Sequence, residues 1–119
     1  MATFATPDRA LAAALRMREE MRRLNDERRK EDLLLKIGIH EGPCLAVTLN
    51  DRQDYFGQTV NIAARVQGLC TSREILATQP VVSHPAASKL LAGSGTEAVA
   101  RPPSPLRGVA EPVAIFAIP

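Results

Sequence analysis

The sequence of 119 residues predicts an α+β domain, with helices on one face of a mostly antiparallel sheet. Three observations carry this expectation. Leu11, Ala14, Met17, Met21 and Leu24 recur at three- and four-residue steps, the pattern of an amphipathic helix. Leu33, Leu35, Ile37 and Ile39 alternate with Leu34, Lys36, Gly38 and His40, the two-residue period of a strand with one strongly apolar face. Val113-Ala114-Ile115-Phe116-Ala117-Ile118 is a continuous apolar run of strand length.

The opening helix starts at Thr6-Pro7-Asp8. Thr6 serves as N-cap, and Pro7 stands at the first helical position, where a missing N–H costs nothing. The helix is expected to run to about Arg29. Its basic end, Arg22-Arg23 and Arg28-Arg29-Lys30, is interleaved with Glu19, Glu20, Glu27, Glu31 and Asp32, so it reads as a solvated face rather than a polyanion site. A strand over 33–40 follows, then a turn at Glu41-Gly42-Pro43 and a second short strand over 44–49, the two strands being expected as an antiparallel hairpin or close neighbours. Asn50-Asp51-Arg52-Gln53 is polar turn material. A helix begins near Gly57 and ends between Gly68 and Thr71, and Glu74 to Thr78 is a further strand. Pro80 and Pro85 frame a connection into a short helix over 86–91, Gly93-Ser94-Gly95-Thr96 marks a loop, and Arg101-Pro102-Pro103-Ser104-Pro105 is a stiff surface connection before the last strand.

Composition narrows the function classes. With 45% hydrophobic and 24% charged residues, this is ordinary globular material sufficient for one modest core. A formal charge of +2 and 3% aromatic residues with no Trp give neither the basic field nor the stacking platforms of a nucleic-acid binder. Cys44 and Cys70 form no CxxC or Cys/His cluster and read as buried thiols in a reducing compartment. No signal-peptide run and no stretch of membrane-span length occurs, and a soluble cytoplasmic chain is expected. P-loop, HExxH and Ser/His/Asp patterns are missing, Gly93-Ser94-Gly95 lacks a following lysine, and His40 and His84 read as structural.

The chemistry lies in Asp54-Tyr55-Phe56-Gly57-Gln58-Thr59-Val60-Asn61-Ile62-Ala63-Ala64-Arg65. Asn61 and Arg65 are four apart, so on a helix beginning near Gly57 they project from one face, while Asp54 sits just before that helix. A carboxylate, a carboxamide and a guanidinium gathered at a helix start suit a nucleotide. Val60, Ala63 and Ala64 lie partly on the other side, and the alanines keep the helix slim enough to lie close to a sheet.

Three stretches together resemble the class III adenylate/guanylate cyclase catalytic domain: Leu35-Lys36-Ile37-Gly38-Ile39-His40-Glu41-Gly42-Pro43, then Asp54 through Arg65, then Leu106-Arg107-Gly108-Val109-Ala110-Glu111-Pro112-Val113 with the terminal strand. They stand in the family's order and span nearly the whole chain, yet they match only the second half of the family's domain. The resemblance implies a truncated ferredoxin-like cyclase fold and a single partial domain over 1–119. The family's two metal-binding aspartates lie on elements upstream of the helix with which this chain opens. Mg or Mn is therefore expected for the complete family domain, with no metal site identifiable in this chain. The implied activity is conversion of ATP to cyclic AMP and pyrophosphate in intracellular signalling.

The resemblance also implies roles. Asn61 would hold the ribose, Arg65 would neutralise charge on the α-phosphate in the transition state, and Asp54 would accept a hydrogen bond from the exocyclic amine of adenine. Arg107 falls near the family's phosphate-contacting basic position. The implied partners are ATP, with GTP left open, and a second copy or a complementary cyclase half. Many family members carry further glycines after the turn, where this chain has Leu45-Ala46-Val47-Thr48-Leu49, which sets the backbone there farther from a ligand. Two functional readings follow: part of an ATP cyclase, or a catalytically inactive cyclase-like regulatory or interaction module. Metal separates them, because two-metal catalysis needs oxygen ligands.

Overall fold

The computed structural model describes residues 1–29, 34–43, 45–50, 52–71, 73–102, 106 and 112–119. Helix α1, Pro7–Arg28, begins after Thr6 in extended conformation and closes on Arg29 in the left-handed region (φ 54°). Its core contacts come from Leu11 and Ala14, which are fully enclosed. Arg18 ties the helix down midway by donating to the Ile118 carbonyl at 2.8 Å. The rest of the expected stripe is less covered: Met21 is half-buried, and Met17 and Leu24 remain 45% and 42% exposed.

Strand β1 (Ile37–Ile39) leads to the Gly42-Pro43 turn, then to β2 (Leu45–Leu49) and β3 (Arg52–Phe56). Helix α2 is Gln58–Gly68, β4 is Ile75–Thr78, and α3 is the single turn Gln79–Val82. Helix α4 (Pro85–Gly93), β5 (Val99–Ala100) and β6 (Ile115–Ile118) complete the described elements.

The strands form a four-stranded sheet in the order β1-β4-β6-β5 and a separate two-stranded sheet of β2 with β3. In the larger sheet only β1 and β4 run parallel, with Ile37 opposite Ile75; β4–β6 and β5–β6 are antiparallel. The mostly antiparallel α+β arrangement is thus as the sequence implies. The expected hairpin of the first two strands is replaced: β2 pairs with β3, Leu45 opposite Phe56 through Leu49 opposite Arg52. Asn50 at φ 52° makes that tight reversal, since asparagine tolerates the left-handed region. Arg52 and Gln53 consequently belong to a strand, not to turn material.

The helices divide between the two faces of the larger sheet instead of sharing one. Ile75 and Ala77 of β4 pack with Leu11, Ala14, Val81, Ala87 and Leu91 from α1, α3 and α4. Leu76, between them, packs on the opposite side with Val66 of α2, with Cys70 just beyond that helix, and with Ile115 and Ala117 of β6. A strand buried on both faces reads as a continuous apolar run, and all four β4 residues are buried. Burying an aliphatic side chain such as Leu11 completely contributes about 1.5–3 kcal/mol, so each layer rests on a few such residues.

Gly38 sets the distance of α2 from the sheet. Ile37 and Ile39 face the α1 side, and Gly38 between them faces α2, where an added Cβ would lie 2.6 Å from Gln67 Cα and closer still to Gln67 N. The helix backbone therefore rests directly on β1, and Val66 with Ile62 seats it rather than the alanines, of which Ala64 is exposed. Among the described residues no helix is long and apolar enough to cross a membrane.

Candidate functional site at the start of helix α2

The N-cap of α2 is Gly57, at φ 132° and ψ 175°, backbone that is essentially restricted to glycine. This residue turns the chain from β3 straight into α2, and the Asn61 N–H donates to the Gly57 carbonyl at 3.2 Å as the helix begins. Asn61 and Arg65 are both exposed and, one helical turn apart, share a face. No ion pair to Arg65 occurs among the described residues. With Gly38 fixing the depth of α2 against β1, the position of both groups is set by the sheet.

The turn after β1 is fastened to this helix. Thr59 Oγ1 donates to the Pro43 carbonyl, and a Cβ on Gly42 would lie 2.7 Å from Thr59 Oγ1. The two sequence stretches singled out above thus meet in space at Gly42, Pro43 and Thr59. Sequence reasoning did not single out Thr59; the signal was the Gly42-Pro43 turn, whose glycine needs a close neighbour to explain it.

Asp54 lies in β3, opposite Val47 of β2 and three residues before Gly57, so the β2–β3 sheet carries it to the helix start. Arg107 and Cys44 lie outside the described residues. Cys70 is a buried free thiol whose Sγ donates to the Glu74 carbonyl at 3.1 Å, in line with the structural reading. His40 Nδ1 is 2.6 Å from the Thr78 hydroxyl. Burial lowers the His40 pKa from its usual value, against the opposing charge of Glu41, so the ring is held neutral near pH 7. A half-buried neutral imidazole bonded to a fully buried threonine ties β1 to β4.

Among the described residues no three His, Cys, Asp or Glu side chains stand close enough together to hold a metal ion. The donor set here is a carboxamide and a guanidinium, which suits a sugar hydroxyl and a phosphate and does not suit a divalent cation.

The profile of the adenylate and guanylate cyclase catalytic domain matches residues 3–117. A stretch of 54 residues is 41% identical to an adenylate cyclase of Mycosarcoma maydis, covering 44% of this chain and 2% of that protein. An adenylate/guanylate cyclase/hydrolase from Silicibacter pomeroyi superposes with a TM-score of 0.76 at 23% identity, over 97% of this chain and 62% of that one. An adenylyl cyclase from P. aeruginosa superposes with a TM-score of 0.68 at 23% identity, over 92% and 57%. At that identity the two structures establish likeness of fold. The chain spans less than two thirds of the length of each of these relatives.

Proposed function

Because the chain belongs to the adenylate and guanylate cyclase catalytic domain family, we propose that it supplies the ribose- and phosphate-contacting side of a nucleotide cyclase site. The observation that carries this reading is the shared exposed face of Asn61 and Arg65 on a helix whose start and depth are fixed by Gly57 and Gly38. The reaction joins the 3′-oxygen of ATP to the α-phosphorus, breaks the bond from that phosphorus to the bridging oxygen of pyrophosphate, and releases the 3′-hydroxyl proton to water. Negative charge grows on the α-phosphate oxygens and the leaving group as the bonds exchange.

Asn61 hydrogen-bonds the ribose and holds the 3′-oxygen in line. Arg65 offers its planar guanidinium fork to the α-phosphate oxygens. Asp54 accepts a hydrogen bond from the adenine amine and so favours ATP over GTP, and Arg107 adds a further phosphate contact. The adenylate cyclase named among the relatives is in keeping with adenine as the base.

Residues 1–119 hold the partial domain, and the metal-bearing carboxylates come from another segment or another chain, in a dimer or with a complementary half. The chain alone is accordingly expected to release little cyclic AMP from ATP with Mg²⁺ or Mn²⁺, whereas addition of a metal-bearing cyclase half should produce turnover. An assembly shown to form by sedimentation that still yields no cyclic AMP would contradict the proposal and favour the inactive regulatory module.

A further inference from the structure

Helix α2 is held to the rest of the chain at two points that flank Asn61 and Arg65. Near its end the Gln67 backbone rests on Gly38 of β1. Near its start the half-buried Thr59 donates its hydroxyl proton to the Pro43 carbonyl and lies against Gly42, where an added Cβ would stand 2.7 Å from Thr59 Oγ1 and 3.2 Å from its methyl carbon. We propose that Thr59 is the positioning residue of Asn61: its bond to the turn after β1 sets where the Asn61 carboxamide stands, and with it the alignment of the ribose 3′-oxygen. The role presupposes the nucleotide site proposed above.

Helical geometry separates holding from binding. Thr59 and Asn61 are two residues apart, about 200° around the helix and about 3 Å along it, so they occupy opposite sides of one turn. The Thr59 side meets the Gly42-Pro43 turn, and the Asn61 side is exposed. Thr59 therefore does not touch a ligand bound to Asn61, and its effect on the reaction passes through the helix backbone. Arg65 lies about 9 Å from Thr59 along the axis but only about 3 Å from Gln67, so its position answers to the Gly38 contact.

The start of α2 needs such a hold. Its N-cap, Gly57, has no side chain to bond the first-turn N–H groups, and the first turn carries no acidic residue. A helix end without a cap frays. A carbonyl only accepts, so the Thr59 proton is committed to Pro43, and the β-branched side chain is stiff at χ1. Gly42 is the other half of the contact, because a Cβ there would occupy the space that Thr59 fills. Were Thr59 a packing residue alone, valine, with a methyl in place of the hydroxyl, would serve as well.

Thr59→Val keeps the shape and deletes the bond, whereas Thr59→Ser keeps the hydroxyl. In an active assembly with a metal-bearing cyclase half, Thr59→Val should lower kcat by roughly 10- to 100-fold with KM for ATP little changed, the size expected when a reacting group is misplaced by about 1 Å. Thr59→Ser should restore most of that loss. Coupling between residues separates positioning from general stability. Thr59→Val should cost almost nothing further in an Asn61→Ala background and its full factor in an Arg65→Ala background, whereas a loss of folded protein would multiply equally into both. Nuclear magnetic resonance of the full chain alone reads the hold without activity: Thr59→Val should shift the Asn61 side-chain amide signals and speed hydrogen exchange in the first turn of α2, leaving the Gln67 N–H as it was. Equal costs in the two backgrounds, wild-type kcat for Thr59→Val, or unmoved Asn61 signals would each overturn the role. Moved Asn61 signals beside a wild-type assembly that makes no cyclic AMP would overturn the nucleotide reading and the role with it, while the hold itself would stand.

Discussion

Substitution of Gly38 by alanine tests how the sheet positions the face of α2 that carries Asn61 and Arg65. The new methyl would lie 2.6 Å from Gln67 Cα, whereas carbon atoms in contact prefer about 3.5–4.0 Å, so α2 must retreat by roughly 1 Å. The obstacle is helix backbone, which cannot rotate aside as a side chain would. Overpacking of this kind costs about 1–3 kcal/mol, equivalent to roughly a 5- to 150-fold loss in the folding equilibrium constant. For a chain of this length the melting midpoint should fall by roughly 3–18 °C. Thermal unfolding followed by circular dichroism measures it, with Gly38→Ala/Gln67→Ala as a second variant. Trimming the Gln67 side chain should rescue little, because the backbone remains in place. An unchanged midpoint for Gly38→Ala, or full rescue by Gln67→Ala, would refute the claim that α2 rests on β1 through its backbone.

Three further outcomes are expected. Gly57→Ala forces a side chain into backbone territory that only glycine occupies, at a cost of about 1–3 kcal/mol, visible as a lower urea midpoint. The His40 pKa is lower in the folded chain than in the unfolded one, so the unfolded chain takes up the proton first. Stability should therefore be full above the ordinary histidine pKa of about 6.5 and decline as pH falls below it; urea midpoints at neutral and mildly acidic pH check this, and His40→Gln should flatten that part of the profile. Asp54→Ala, in an active assembly, should reduce the preference for ATP over GTP more than it reduces turnover, since a base-edge hydrogen bond discriminates between substrates; competition assays with both nucleotides measure it.

Much of the fold is legible in the chain because the periodicities are unambiguous. Residues 7–28 and 58–68 read as helices, and Ile37–Ile39 and Ile115–Ile118 as strands, on their own spacing. The hairpin partner was misread because Arg52-Gln53-Asp54 is polar, and polar residues in a small strand pair off the main sheet look the same as turn residues. Strand β5 has two residues and α3 has four, too few to show any period. The division of helices between faces is not encoded locally; it follows from β4 being buried at every position and from Gly38, whose meaning depends on what lies opposite. At the site, Asn61 and Arg65 were readable from a spacing of four, whereas the Thr59 tie to the Gly42-Pro43 turn joins residues sixteen apart and needs the fold.

Arg65→Ala in an active assembly of this chain with a metal-bearing cyclase half tests the central claim most directly. If Arg65 stabilises charge that appears on the α-phosphate only in the transition state, kcat for cyclic AMP formation should fall by about 10²–10³ while KM for ATP changes little. Retention of full turnover would contradict the account and leave Arg65 as a solvated charge on the surface of α2.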